Sequence, residues 1–476
     1  MNITFIGQQS WLINDQDTYV IIDPLLTETF GTSKEVQFRV YPPRNVSLNK
    51  MPKINAVLIT NEHLDHFHLK SLKLLDKSIP IYIGKVMPNC VKDTIKKIGF
   101  KAIHEVNNGE RILINNLSVY FFIGDSNVPF WEKRVYQVYV VNSMKFGVFI
   151  QSDTLINNYF LEQINNRTIP SPNVYITTNN SQLLPLEYHG AFDNLLPVSN
   201  TSKTGLPGLN ILEEVLVQYP KQLLSLSHIL ISGGGYIIDN EQSKPFLYTD
   251  FNLVNSYLKE LSLGLNAMYL SPGEQLSFEN NNSYVNKVEW IKIDDNLFNG
   301  YNNHHNKTIE ESLLTEPIFK LLNTEGSIKE NINLIKSELE NLVPSLLLSK
   351  LGKLLISTNE YIEGAINSAR FVINLKKDKN NSLIFTFNIN SAKFELIEGN
   401  PEALLRKFPY GIELFVGDFI ALITGKIQIW ELATANMRQW YLGDKLTSPV
   451  SFLYCHFSEQ VRPDLAYKIY ETINAQ

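Results

Sequence analysis

The sequence predicts an α/β protein in two parts. Sheets covered by helices on their outer faces occupy residues 1–300, and a smaller α+β domain occupies residues 307–476. Three observations lead there. Short apolar runs punctuated by turn residues dominate the first 160 residues and read as strands. Helical periods enter among them without strict alternation, which favours sheets with helices on their outer faces. The polar, unpatterned run Gly300-Tyr301-Asn302-Asn303-His304-His305-Asn306 then marks a boundary, beyond which the chain changes character and opens with helical stretches.

Taken in order, Ile3-Thr4-Phe5-Ile6-Gly7 and Ser10-Trp11-Leu12-Ile13 are strands, and Asn14-Asp15 is a turn signal before the strand Tyr19-Val20-Ile21-Ile22-Asp23-Pro24. A buried strand follows at residues 54–59, then helices at 69–75 and 91–98 with a strand at 79–83 between them. Strands are expected at 111–114, 117–122, 136–141 and 145–151. Residues 169–208, rich in Asn, Ser, Pro and Gly, read as an inserted loop region. Past it, helical periods cover 211–219 and 251–261, with strands at 229–231 and 268–270. In the second part, helices are expected at 308–322 and 328–355, with Pro344 as a candidate break. Strands then fall at 368–375, 382–388 and 393–398, followed by helices at 401–407, 416–424 and 428–439.

Composition narrows the function classes. A formal net charge of −6, with no run of lysine and arginine, argues against a nucleic-acid footprint. Two cysteines, Cys90 and Cys455, are too few for a disulfide framework and point to free thiols in a reducing cytoplasm. The opening residues read as a strand rather than a signal peptide, and no apolar run is long enough to span a membrane. The expected partner is therefore a small-molecule substrate.

The chemistry concentrates in Thr60-Asn61-Glu62-His63-Leu64-Asp65-His66-Phe67-His68, directly after the 54–59 strand. Imidazoles and carboxylates this close together, on a turn leading into a helix, can converge on one metal ion. The bland alternative is a structural loop in which Asp65 hydrogen-bonds backbone at the helix start. His68 reads as a surface residue at the helix N-terminus.

This run resembles the metallo-β-lactamase superfamily signature His-x-His-x-Asp-His, with Asn61 where the first histidine belongs. Three further features carry the resemblance: the opening hairpin ending in Asp23-Pro24, the turn Asn108-Gly109-Glu110, and Phe146-Gly147-Val148-Phe149-Ile150-Gln151-Ser152-Asp153-Thr154. It implies an αββα sandwich. It also implies a metal site using His63, Asp65, His66 and Asp153, with Asp65 the catalytic carboxylate. Length and order are most similar to the CMP-N-acetylneuraminate hydroxylase-type branch, through Ile81-Tyr82-Ile83-Gly84, Ser232-Gly233-Gly234-Gly235-Tyr236 and the segment from Met268 to Leu276. The Rieske domain of those hydroxylases is not expected, because Cys90 and Cys455 lie in neither Cys-x-His nor Cys-x-x-His.

The resemblance also marks where histidines are missing. The family's later ligands would fall near Asp125-Ser126-Asn127 and near residues 232–235, and neither place has one. Two imidazoles and two carboxylates still make a donor set suited to zinc, iron or manganese, as a single ion. Three readings follow. The first is a hydrolase using metal-activated water. The second is an iron-dependent oxygenase with external reductant, and the third a metal-free protein that binds a small molecule or partner in the same cleft.

Outside the motif, His189 in the inserted loop is a candidate for reaching over the site, and a solvated loop histidine is the alternative. Backbone amides around Gly234 are candidates for an anionic substrate, and a turn needing positive φ explains the same glycines. Asn61 is a candidate substrate contact or weak ligand. Arg134, between two strands, suits a carboxylate or phosphate, with a surface salt bridge as the alternative. The second domain, through residues 412–440, is similar in pattern to the sterol-carrier type, which would frame an apolar tunnel.

Overall fold

The computed structural model describes residues 1–475 apart from 34–35, 125–133, 179–215, 217–221, 234–235, 239–250, 262–263, 281, 299–327, 362–370, 379 and 443–446. Two large sheets face each other with helices outside, as the αββα expectation requires. The first sheet runs Asn282–Lys287, Glu274–Glu279, Asn2–Gly7, Ser10–Asp15, Thr18–Ile22, Ala56–Ile59, Ile81–Gly84 and Ile103–Val106. It is antiparallel as far as Thr18–Ile22 and parallel beyond. The second runs Arg111–Ile114, Leu117–Ile123, Tyr136–Asn142, Gly147–Ile150, Val174–Thr178, His228–Ser232 and Asn266–Met268.

Period-two alternation explains how one sheet serves two cores. Trp11, Ile13, Val20, Ile22, Ala56 and Leu58 face the second sheet, meeting Val119, Phe121, Val138 and Val148. Their neighbours Leu12, Ile21, Val57 and Ile59 face outward onto Leu69, Leu72, Val91 and Ile95 of the helices Leu69–Leu74 and Asn89–Lys97. Each fully buried aliphatic or aromatic side chain contributes roughly 1.5–3 kcal/mol on this basis. Trp11 Nε1 also donates to Ser232 Oγ at 2.9 Å, joining the two sheets beneath the site.

The remainder builds a five-stranded sheet, Lys393–Ile397, Ser382–Asn388, Phe371–Lys376, Tyr410–Phe415 and Arg438–Trp440, with Phe371–Lys376 and Tyr410–Phe415 parallel. Helices Ile328–Leu348, Val416–Ile423 and Pro449–His456 supply its apolar cover. Two expectations change here. The long helix does not break at Pro344; it runs through that residue, and a second helix starts at Lys350. The region expected as one helix from 428 divides into Ile429–Asn436 and the edge strand Arg438–Trp440.

The two parts interlock. Leu25, Phe30, Val36, Phe38 and Val40 of the first join the core of the second. In the other direction, the last helix, Pro463–Ala475, lays Ala466, Ile469, Tyr470 and Ile473 on the outer face of the first sheet. The expected boundary near 300–306 lies outside the described residues. Among the described residues no helix is long and apolar enough to cross a membrane.

Candidate metal centre

The strand Ala56–Ile59 is buried throughout and delivers the chain to Thr60 at its tip. There the backbone turns, with His66 N and Phe67 N both donating to His63 O at 2.9 and 2.6 Å. That turn sets Asp65 and His66 beside the end of the Gly147–Ile150 strand, from which Ser152 and Asp153 project.

Asp23, after the Thr18–Ile22 strand, organises this tip. Its Oδ1 accepts from Thr60 N at 2.8 Å, and its Oδ2 accepts from Thr60 Oγ1 at 2.6 Å and faces His66 Nδ1 at 2.7 Å. A carboxylate at Nδ1 holds the proton there and leaves Nε2 with its lone pair. Nε2 is completely buried, 2.8 Å from Asp153 Oδ2 and 3.7 Å from Asp65 Oδ2, yet it makes no aligned hydrogen bond. A bare lone pair facing two carboxylates is repulsive, so something positive belongs between them, a second proton or a cation. Ligand atoms of Asp65, His66 and Asp153 all lie within 4.8 Å of one another. These residues fit a metal ion: one imidazole and two carboxylates around a buried orphan nitrogen.

Electrostatics agree. Burial works to lower the His66 pKa, but Asp153, Asp65 and Asp23 outweigh it and hold the ring well above the usual range. Burial opposes ionisation of Asp153 as well, yet His66 and His63 keep its carboxyl well below the usual range. For Asp65 burial dominates and raises the carboxyl, with His66 pulling the other way.

His63 stands one step further out, its Nδ1 3.6 Å from Asp153 Oδ2 and its side chain partly exposed. Against burial, its bond to Asp153 and the charge of Glu62 push it up to about 9. His63 therefore stands at the rim of the cluster rather than inside it. Asn61 is fully buried, and its Oδ1 accepts from His63 N at 2.9 Å. Its amide nitrogen faces Thr60 Oγ1 and Ser152 Oγ, each at 3.4 Å. In this position Asn61 shapes the turn.

Two further side chains carry the site and were not anticipated. Gln8 Nε2 donates to Asp65 Oδ2 at 3.2 Å, and Gln9 Nε2 to Asp153 Oδ1 at 3.4 Å. Amide donors on ligand carboxylates orient them. Gln8, Asp23 and Ser152 all have positive φ, at 54°, 46° and 56°. Left-handed backbone at non-glycine residues costs of order 1 kcal/mol each and collects where geometry is over-determined. No pattern in the sequence signals this, since Gln16 and Asn115, in plain turns, have positive φ as well.

The remaining candidates sort as follows. His68, expected at the surface, is buried, with Nδ1 2.7 Å from Ser71 Oγ, and burial pushes it down to about 3. The reason is that the turn tucks it under the Leu69–Leu74 helix rather than outward. Gly233 has φ +77° and donates its N–H to Gln8 O at 2.8 Å, while Gly234 and His189 lie outside the described residues. His228 sits at the start of its strand, away from the site, between Ser227 Oγ and Ser283 Oγ. Arg134 is buried rather than a surface residue and is paired with Glu62, the neighbour of His63.

The model of the beta-lactamase superfamily domain matches residues 2–140. Ribonuclease J 1 of Streptococcus pyogenes is 24% identical over 127 residues, a match covering 26% of this chain and 22% of that enzyme's length. Among solved structures, a possible metal-dependent hydrolase from Veillonella parvula is similar with a TM-score of 0.41 and 16% identity, over 58% of this chain and 99% of that one. The diiron β-hydroxylase CmlA from Streptomyces venezuelae is similar with a TM-score of 0.37 and 14% identity, over 60% of this chain and 54% of that one. Over residues 2–140 the chain is thus similar to the beta-lactamase superfamily domain.

Proposed function

We propose that the protein is a metal-dependent enzyme of hydrolase type, holding one divalent ion through Asp65, His66 and Asp153 and acting on a small molecule. The observation that carries this reading is the cluster of Asp65, His66 and Asp153, whose ligand atoms lie within 4.8 Å of one another, with Asp23 on His66 Nδ1. A bound ion there would supply a Lewis acid and lower the pKa of water. Asp23 fixes the imidazole tautomer, Gln8 and Gln9 fix the carboxylates, and His63 is placed to take or return a proton at the rim.

A donor set richer in carboxylate than imidazole also accommodates iron or manganese, which favours an oxygenase as the second reading. Metal analysis of protein purified without chelator separates the two. Stoichiometric zinc supports hydrolysis, and iron or manganese supports oxidation. In either case the Asp153→Ala variant loses the metal. A metal-free wild-type protein that cannot be reloaded refutes both and leaves the binding-protein reading.

A further inference from the structure

A continuous polar bridge leads from the second part of the chain to the turn that carries the metal-site residues. It begins at Glu431, buried in the first turn of the Ile429–Asn436 helix. The Glu431 carboxylate accepts from Thr32 N and Thr32 Oγ1 of the first part, and from Gln428 N at 3.0 Å. Gln428 caps that helix, accepts from Trp430 Nε1 on its Oε1 and donates from its Nε2 to Glu459 Oε1 at 3.3 Å. Glu459 Oε2 lies 3.9 Å from Arg134 Nη2, the nitrogen that also pairs with Glu62. Glu62 directly precedes His63 in the metal-site turn. We infer that Glu459 and Gln428 are positioning residues of the candidate metal centre. Acting through Arg134 and Glu62, they hold the 61–66 turn where Asp65 and His66 meet Asp153, an inference that rests on the metal reading above.

The first ground is the hold on Glu62. Both of its carboxylate oxygens are buried, and Arg134 is the cation that balances them. A buried carboxylate parted from its cation is strongly disfavoured, so Glu62 follows wherever the guanidinium is placed. The main chain runs together here as well, since Tyr136 N, just beyond Arg134, donates to Thr60 O at 2.9 Å. Glu62 in turn sits inside the turn closed by His66 N and Phe67 N on His63 O, so a shift of Glu62 is passed to both ligand side chains.

The second ground is the position of Arg134 between two carboxylates, one from each part of the chain. None of the three side chains is more than 10% exposed, so salt and water screen the contacts little. Glu459 is itself fixed. It lies in the tight turn between the Pro449–His456 helix and the last helix, where Arg462 N donates to Ser458 O at 2.8 Å. On its other side Gln428 and Glu431 carry the hold back to Thr32 of the first part. Packed hydrogen-bonded chains of this kind transmit a displacement because each member has few alternative partners. The second part thereby contributes to the metal centre without supplying a ligand.

The test is a competition titration of the full chain with zinc, and in parallel with manganese(II), against a chromophoric chelator. It is run at about pH 8, where Glu459, pushed up to about 7 by burial and Glu62, is mostly ionised. Glu459→Ala and Gln428→Leu should each weaken metal binding about three- to tenfold. The double variant should lose no more than the weaker-binding single one, because both cut the same bridge. Glu459→Gln keeps the volume and an acceptor for Gln428 but not the charge beside Arg134, and should show the loss even if Glu459→Ala fails to fold. Ile373→Ala, in the core of the second part but off the bridge, should lower the melting temperature and leave metal affinity at the wild-type value. Wild-type affinity in the bridge variants, additive losses in the double variant, or an equal loss in Ile373→Ala overturns the inference and leaves the metal reading standing. Wild-type protein that takes up neither ion, or Asp153→Ala that binds as tightly as wild type, removes the metal reading and the inference with it.

Discussion

Replacing Asp23 with asparagine tests the centre at the residue that orients it without touching the ion. The change keeps the volume and keeps Oδ1 as acceptor for Thr60 N, now 2.8 Å away. It places an amide NH₂ where Oδ2 accepts from Thr60 Oγ1 at 2.6 Å and faces His66 Nδ1 at 2.7 Å. His66 then loses the acceptor that holds its proton on Nδ1, and the tautomer carrying the proton on Nε2 cannot ligate. Outer partners of metal-bound histidines are worth about 10–100-fold in metal affinity. Losing hydrogen bonds to a buried charged group costs about 1.5–3 kcal/mol for each bond. Asp23→Asn should therefore lose metal affinity by about 10–100-fold in a competition titration against a chromophoric chelator. The chelated protein should also lose about 3–6 kcal/mol in urea denaturation, for the two bonds at Oδ2. Wild-type metal affinity alongside a large stability loss would refute the argument, because Asp23 would then be only a structural clamp on Thr60.

Other expectations follow from the packing. Ile469→Ala removes a contact between the last helix and the first sheet's outer face and should cost about 2–4 kcal/mol in urea denaturation. Gly84→Ala puts a Cβ 1.8 Å from Cε2 of the buried Tyr136 ring, so a loss of about 3 kcal/mol is expected in thermal melting. Glu338 is buried, accepts from His456 Nε2 at 2.8 Å and pairs with Arg462. Glu338→Gln should cost about 3–5 kcal/mol at neutral pH. Burial opposes ionisation of Glu338, but His456 and Arg462 outweigh it and hold its pKa below the ordinary 4.5. Its stabilisation is thus complete above that value and is lost as pH falls through the lower folded pKa. The gap between wild type and Glu338→Gln should narrow in urea titrations run below pH 4.5, and a gap constant with pH would contradict the assignment.

Several parts of this protein were legible along the chain. The short apolar runs through Ile3–Ile22 and 54–59 announced strands, the last of them buried, and the structure sets His63, Asp65 and His66, after the Ala56–Ile59 strand, near Asp153, after Gly147–Ile150. Local pattern suffices there because side-chain period and turn chemistry are set within a few residues. The second part was legible only in outline. Residues 436–438 pass from helix to strand through Met437, where tertiary pairing of Arg438–Trp440 with Tyr410–Phe415 overrides a helical pattern.

By itself, then, the sequence determined the strand content of the first part and which imidazoles and carboxylates could meet. Tertiary structure alone decided which nitrogen of His66 is left open, because that depends on Asp23, 43 positions away. It likewise decided that Gln8 and Gln9 brace the carboxylates, that Arg134 is buried with Glu62, and that the last helix returns to the first sheet. The physical reason is the same in each case. Hydrogen-bond direction and burial are properties of groups brought together by long-range strand pairing, and no local period encodes which distant partner arrives.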